Sequence, residues 1–565
     1  MSALVLGSLY TASKQLTGVG QPSARHAVVA DTPCTNACTS YDADLSTLNS
    51  TKPVAYIVGS KNMENSIEPG QCVCVRVAFP SLLPDATNAN ITSRAIYKPV
   101  DGWPLDSLMV DLVMEESSDE FYQNARVTVS VSMWPIQDYS SKMEDSGLRI
   151  YEGTAQLFDP GIYKVDARIE YRDAQWNAEL GQLTMPYEEL IIDTTDDNID
   201  LRNKVRVRRN THHPTYLAKH QRLPLCTSGD ASGRWIPRQN LPQHWTEQQY
   251  GFPAEDTRVW LPYNCRLRRI SHAEFAYHMS MAHPSVHWYG DSNSRCSLRP
   301  FIMGGQWCHE PSTHSRLDCL CNDAPRDLFP DDWYQNMPVP HLYRVHGLGV
   351  NSSEVYTDLR KISSLPTDPQ PVALPVIWSS NNSGPAYVPP GFESCTDYFD
   401  LYYLFTRGTL DMYGSYWRRD ITAERIRELP QASVVIFQMI TWDVAFGSFA
   451  HFRREVHELV QRLAKVYPDT EIIYRSGPYW CCRGADDAER KYSRMRFLAF
   501  DAYARRIFQQ RLRARVWDVS GPMAQKAPEE KRRADNMPCR SAHSRAEQIH
   551  IDNQILMNML LNNVV

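Results

Sequence analysis

The hydrophobic period changes partway along this chain, and that change limits what the chain can fold into. From about residue 52 to 195, Val127, Val129, Val131 and Met133 alternate with polar residues. Tyr163, Val165, Ala167, Ile169 and Tyr171 alternate again after the turn Asp159-Pro160-Gly161. A period of two punctuated by turns predicts half-buried antiparallel strands, hence an all-β sandwich. From about 256 onward the pattern is different. Short apolar strands (Val286–Tyr289, Val434–Phe437, Glu471–Tyr474, Ala514–Val519) alternate with helical patterns. Phe452, Val456, Leu459, Val460 and Leu463 share one helix face. Met495, Leu498, Ala499, Ala502 and Ile507 form a second helix, and Ile555 to Leu561 a closing one. Strand–helix alternation predicts an α/β domain, a largely parallel sheet flanked by helices. The organisation expected is a flexible lead-in over 1–51, the sandwich over 52–195, a linker over 196–255 and the α/β domain over 256–565. The Pro-, Cys- and aromatic-rich stretch between about 300 and 400 reads as long surface excursions shaping a cleft.

Composition removes several function classes. Lys+Arg 59 against Asp+Glu 65 gives a net charge of -6. A duplex nucleic-acid binder would show a basic excess, so no nucleic-acid partner is expected. No run of about 18 apolar residues occurs, so no membrane span is expected. The segment Ala3 to Tyr10 is apolar but no Lys or Arg precedes it, which makes a poor signal peptide. The local basic stretch Lys204, Arg206, Arg208, Arg209, His212, His213, Lys219 and Arg222 reads as a solvated linker more readily than as an anion patch. Fourteen scattered cysteines suit disulfides in an oxidising compartment. Cys308-His309, His314 and Cys319-x-Cys321 cluster, but without a C-x2-C pair, so no metal is expected. Sequons at Asn49, Asn90, Asn351 and Asn381 permit a secretory location.

The segment richest in chemical information is Val286-His287-Trp288-Tyr289-Gly290-Asp291-Ser292-Asn293-Ser294-Arg295. An apolar strand delivers a small-residue turn carrying a serine, just before a helix. In an open parallel sheet, ligands bind beyond the carboxyl ends of the strands. The amide of Ser292 can there point at a developing oxyanion. A nucleophilic serine needs a general base, and the base needs an acceptor to hold its tautomer. Glu547-Gln548-Ile549-His550, read as lying just before the closing helix, offers both. His543 is a rival base and Asp552 a rival orienting acid.

These residues together resemble a family. Trp260-Leu261-Pro262-Tyr263-Asn264-Cys265 reads W-x-P-x-x-C, G-D-S-x-x-R follows at 290–295, and an acidic-x-x-His stands late in the chain. This looks like the PC-esterase branch of the SGNH/GDSL hydrolases, which includes neurexophilin-and-PC-esterase proteins and trichome-birefringence-like O-acetyltransferases. The resemblance implies an SGNH-hydrolase-like α/β domain preceded by an immunoglobulin- or filamin-like sandwich. It implies Ser292 as nucleophile, His550 as base and Glu547 as orienting acid, where the family usually has Asp. It implies oxyanion donors beside Ser292 from a glycine and an asparagine. Gly414 is the candidate glycine, and Gln438 stands in the strand-end position where related plant enzymes show Asn. Gln can donate an amide hydrogen bond as Asn does. Arg295 and Asp291 are candidate substrate contacts. Arg295 is equally able to pair with a core carboxylate. Cys265 and Cys296 are candidates for disulfides flanking the site.

The function expected is serine-dependent acyl-ester chemistry on carbohydrate, O-acetyl transfer or O-acetylester hydrolysis, in the Golgi lumen or outside the cell. The only small molecule implied is an acetyl donor as cosubstrate, with no tightly bound cofactor and a glycan as the partner. The competing reading is a catalytically silent SGNH scaffold that binds through its sandwich, favoured by Gln438 and Glu547. A lectin-like module acting through the sandwich alone is a third.

Overall fold

The computed structural model describes Cys34, Cys38, Tyr122 and the ranges 53–59, 66–79, 107–117, 127–135, 149–171, 175–177, 182–184, 187–191, 203–209, 220–241, 258–302, 341–346, 355–356, 398–406, 408–409, 429–478, 494–523 and 546–562. The N-terminal strands are β1 Val54–Ile57, β2 Ser66–Ile67, β3 Gln71–Phe79, β4 Ser107–Glu116, β5 Thr128–Val131, β6 Trp134–Pro135, β7 Arg149–Leu157, β8 Gly161–Tyr171, β9 Gln175–Asn177, β10 Gln182–Thr184, β11 Tyr187–Ile191 and β12 Lys204–Val207. One sheet runs β1-β3-β7-β6 and a second β2-β12-β8-β4-β5, with β11 on β8; β9 and β10 pair separately. The two sheets enclose a shared core. Along β8, Tyr163, Val165, Ala167 and Ile169 are all buried, as the alternation requires.

Strand β12 falls within 196–255, the segment read as a linker. It pairs antiparallel with β8, opposing Val205 to Tyr163, and parallel with β2. Val205 and Val207 face the core while Lys204 reaches Glu115 at 2.9 Å and Arg208 reaches Glu68 at 3.4 Å. The alternating basic residues are thus the solvent face of a sheet strand. A single apolar residue every second position over four residues was too short a signal to separate from a basic loop.

Two disulfides, Cys34–Cys72 and Cys38–Cys74, fasten the N-terminal segment to β3. A hairpin-like pair, β13 Gly233–Pro237 with β14 Arg258–Pro262, then bridges toward the C-terminal half. Cys226–Cys265 ties its ends. Trp235 donates from its indole to the carbonyl of Pro522 at 2.8 Å.

The C-terminal half holds a seven-stranded sheet with helices packed on it. Its strands are β15 Ser285–Gly290, β16 His341–His346, β17 Val355–Tyr356, β18 Tyr398–Phe405, β19 Val434–Gln438, β20 Glu471–Arg475 and β21 Arg515–Trp517, in the order β17-β16-β18-β15-β19-β20-β21. The run β18-β15-β19-β20-β21 is parallel. At the other side β16 and β17 pair antiparallel, so the sheet is mixed. Its helices are α1 His272–Ala282, α2 Ser292–Ile302, α3 Thr441–Phe446, α4 Phe449–Val466, α5 Arg494–Leu512 and α6 Ala546–Leu561. Ser448 caps α4 by accepting from the amide of His451, and the face predicted from sequence is the buried one. No helix among the described residues is long and apolar enough to cross a membrane.

Two buried ion pairs join the halves. Arg234, beyond the hairpin's start, meets Asp159 at 3.1 Å, and Arg494 of α5 meets Asp111 of β4 at 3.1 Å. Asp159 also accepts from the hydroxyls of Tyr122 and Tyr263.

Candidate active site

The parallel run puts β15 in the middle of the sheet with β18 and β19 on either side. Its last residue, Gly290, leaves no room for a side chain unless Ser294 shifts. A Cβ there would run into Ser294 Oγ and come within 3.2 Å of Gln438 Cβ. The chain then turns directly into α2. Asp291 is the cap: its Oδ1 accepts from the amide of Asn293 at 2.8 Å and its carbonyl from the amide of Arg295 at 3.1 Å. Thr406 donates its amide to the carbonyl of Gly290 at 2.9 Å. The Tyr403 hydroxyl lies 3.0 and 2.9 Å from the carbonyl oxygens of Gly290 and Asp291.

Ser292 therefore stands at the first position of α2, at the carboxyl edge of a central parallel strand. It is half-buried, whereas Asp291, Asn293 and Ser294 beside it are fully buried. An anion forming there would meet the positive end of the helix.

Beneath the turn lies a fully buried polar network. Gln438 ends β19; its Nε2 donates to Asp291 Oδ1 at 3.0 Å, and Thr441 Oγ1 lies 3.5 Å away. Its Oε1 accepts from Ser294 Oγ and, at 2.7 Å, from Nη1 of Arg475. Arg475 ends β20 in register with Gln438. Its Nη2 donates to Ser297 Oγ at 2.8 Å, and its guanidinium lies over the Trp517 ring, 4.9 Å from the centroid. Burial pushes the Asp291 carboxyl up from its ordinary pKa, opposed by hydrogen bonds from Thr441 and the Asn293 amide, by Arg475 and by Gln438. Burial likewise lowers Arg475, opposed by Asp552 and Asp291. Between β19 and α3, Ile440 sits at φ 95°, a left-handed conformation that a β-branched residue adopts only under constraint. Its amide donates to Asp443 Oδ2 at 3.0 Å.

Helix α6 packs along α2. Ile549 meets Cys296, and Asn553 Nδ2 donates to the carbonyl of Ser297 at 2.8 Å. The helices that carry Ser292 and His550 thus pack on one another at Cys296 and Ser297. One expectation is corrected: Glu547 and His550 do not precede the closing helix but belong to it, because α6 begins at Ala546. Between Ala546 and Asp552 there is no proline or glycine to delay helix formation, so the apolar pattern alone placed the start too late. His550 is half-buried with its Nε2 enclosed. Burial, then His272 and Arg269 nearby, lower its pKa from 6.5 to about 3. Asp552, two residues on, faces elsewhere. It accepts from Gln548 Nε2 at 2.7 Å and interacts with Arg475.

The candidate substrate contacts Asp291 and Arg295 are 1 % and 4 % exposed. Asp291 is committed to the cap and to Gln438, so its work is inside the protein. Cys265 pairs with Cys226 rather than beside the turn, and Cys296 is disulfide-bonded as well. Gly414, His543, the side chain of Glu547, the cluster Cys308, His309, His314, Cys319 and Cys321, and the four sequons lie outside the described residues. Arg475, Tyr403 and Ser297 were missed in the sequence. One signal was there for Arg475: the apolar runs 434–437 and 472–474, like 286–290, are each followed at once by a polar residue, Gln438, Arg475 and Asp291.

No protein-family description matches the chain, and no curated protein matches it. Among solved structures it is similar to one described as a peptidoglycan O-acetylesterase in action. That likeness has a TM-score of 0.26 and 13 % identity, covering 52 % of this chain and 95 % of the other.

Proposed function

We propose that the chain carries out serine-dependent acyl-ester chemistry on carbohydrate, as an O-acetyltransferase or O-acetylesterase of SGNH type. The observation that carries this reading is Ser292: half-buried, at the head of a helix, on the carboxyl edge of a central parallel strand, with Asp291, the Asn293 amide and the Ser294 hydroxyl beside it held by hydrogen bonds. Ser292 Oγ attacks an acetyl carbonyl while His550 takes its proton. The carbonyl oxygen becomes an oxyanion facing the Ser292 amide, and the alcohol leaves with a proton from His550. The acetyl-enzyme then passes its acyl group to a sugar hydroxyl or to water. Glu547 is proposed as the acid that orients His550 and Gly414 as a further oxyanion donor. Gln438, which the sequence also offered as a donor, gives its amide to Asp291 and is buried beneath the turn, so it supports the turn instead. The two-sheet module is proposed as an immunoglobulin- or filamin-like partner to this domain. Three disulfides among the described residues support maturation in an oxidising compartment, the secretory pathway.

The test is labelling with a serine-directed fluorophosphonate. Wild type should be labelled, and Ser292→Ala and His550→Ala should not. Acetate release from an acetylated polysaccharide, with and without an added sugar acceptor, separates hydrolysis from transfer. A folded wild type that takes no label overturns the reading.

A second reading is a silent scaffold that binds glycan or protein. Two observations favour it. The Gln438 amide is spent on Asp291, and the electrostatic neighbours that lower His550 are His272 and Arg269.

A further inference from the structure

Arg475 is a fully buried arginine, 1 % exposed, and neither the serine nor its base touches it in the mechanism above. We propose that Arg475 is a positioning residue for Ser292, acting on the first turn of α2 through Gln438 and Asp291. This deepens the preceding reading and rests on Ser292 being the nucleophile.

An amide side chain can be placed in two flipped orientations, and only its donors and acceptors decide between them. Gln438 Oε1 faces Nη1 of Arg475 at 2.7 Å, a group that can only donate, and also accepts from the hydroxyl of Ser294, which suits either orientation. That fixes Nε2 on the opposite side, where it donates to Asp291 Oδ1 at 3.0 Å. The same Oδ1 takes the amide of Asn293, the residue after Ser292, at 2.8 Å. Three successive hydrogen bonds therefore run from Arg475 to the backbone beside the nucleophile. A second grip is direct: Nη2 of Arg475 donates to Ser297 Oγ at 2.8 Å, farther along the same helix. Held at Asn293 and at Ser297, α2 can neither slide nor rotate at its start. The directions of the Ser292 amide and Cα–Cβ bond are set with it. Arg475 also supplies the cation that opposes protonation of buried Asp291.

Lysine cannot replace it fully. A guanidinium offers two donors in one plane to two acceptors, whereas an ammonium is a point charge. No proton moves in this role; the relay is static.

A merely structural arginine would change melting temperature but not the reactivity of the molecules that remain folded. The experiment is the second-order rate of fluorophosphonate labelling, well below the melting temperature, for wild type, Arg475→Lys, Arg475→Met, Gln438→Met and the double variant. Hydrogen exchange is followed in parallel on the peptide 286–298. Arg475→Met should label on the order of tenfold more slowly or worse, with Arg475→Lys between it and wild type. If Arg475 acts through Gln438, the double variant should be no slower than the slower single. Exchange in 286–298 should quicken. Wild-type labelling by Arg475→Met, or effects that multiply in the double variant, overturn the proposal. Should Arg475→Met fail to fold, Arg475→Lys decides, and a wild-type rate there overturns it. Should wild type itself take no label, the enzyme reading fails. The positioning role rests on that reading and falls with it, whereas wild-type labelling that Arg475→Met leaves unchanged overturns the positioning role alone.

Discussion

At the scale of single residues, the environment of His550 makes a definite statement about pH. A general base works only while neutral. Burial beside His272 and Arg269 lowers its pKa to about 3, so it is neutral throughout the ordinary working range. Labelling of Ser292 should therefore be flat with pH between about 5 and about 8 and fall only as pH drops toward the lowered value. An acid limb near the ordinary histidine value would show that another group, such as His543, is the base. Gly290 makes a second statement. A methyl group added there collides with Ser294 Oγ and crowds Gln438. Gly290→Ala should cost about 1–3 kcal/mol in stability by overpacking, measured by chemical denaturation. It should also slow labelling, because the group it displaces belongs to the same turn as Ser292.

Among the elements, what could be read from the sequence divides along physical lines. The period-two strands and the α4 face were legible, since their buried residues recur at the spacing that the secondary structure imposes: Tyr163 through Ile169 in β8, Phe452 through Leu463 in α4. The Gly-Asp-Ser turn was legible because an apolar strand ending in small residues leaves few other conformations. The start of α6 was not, because polar Glu547, Gln548 and His550 hide a helical pattern that packing against α2 enforces. The network under the turn was not legible either. Arg475 and Gln438 are neighbours only through strand register, which spacing along the chain does not reveal. The hairpin strand β14 yields a prediction at this scale. Cys226–Cys265 closes a separation of 39 residues, and a loop of that length stabilises by about 4 kcal/mol in the chain-entropy account. Cys226→Ser with Cys265→Ser should lower stability by up to that amount, seen in denaturant unfolding. Ser292 labelling at low temperature should survive, since neither sulfur touches the turn.

The whole molecule depends on charges enclosed where the two halves meet. Asp159 and Arg234 are 0 % exposed, and removing one partner leaves the other buried and uncompensated. Asp159→Asn should therefore cost about 3–5 kcal/mol, and adding Arg234→Met should recover part of that loss. Denaturation curves of the single and double variants check this, and a double variant worse than the sum would argue against the pair. The buried histidines govern the response to acid. Burial lowers His220, His272 and His287 to about 4 and His550 to about 3. In the unfolded chain each binds a proton as pH falls through about 6.5, while in the folded chain each stays neutral. The unfolded state then binds more protons, so stability is full above that pH and declines below it, by about 1.4 kcal/mol per pH unit for each histidine. Asp111, Asp291, Asp443 and Asp501 work in the opposite sense. Their pKa values are raised in the folded state by burial, so they take up protons there first and partly offset the loss once pH falls through those raised values. The melting temperature should accordingly hold steady in weakly alkaline buffer and drop below about pH 6.5, before the carboxylates respond. His272→Gln should reduce the steepness by about one proton. A melting temperature that stays constant down to about pH 5 would mean that these rings are solvated, and with them the His550 environment on which the base assignment depends.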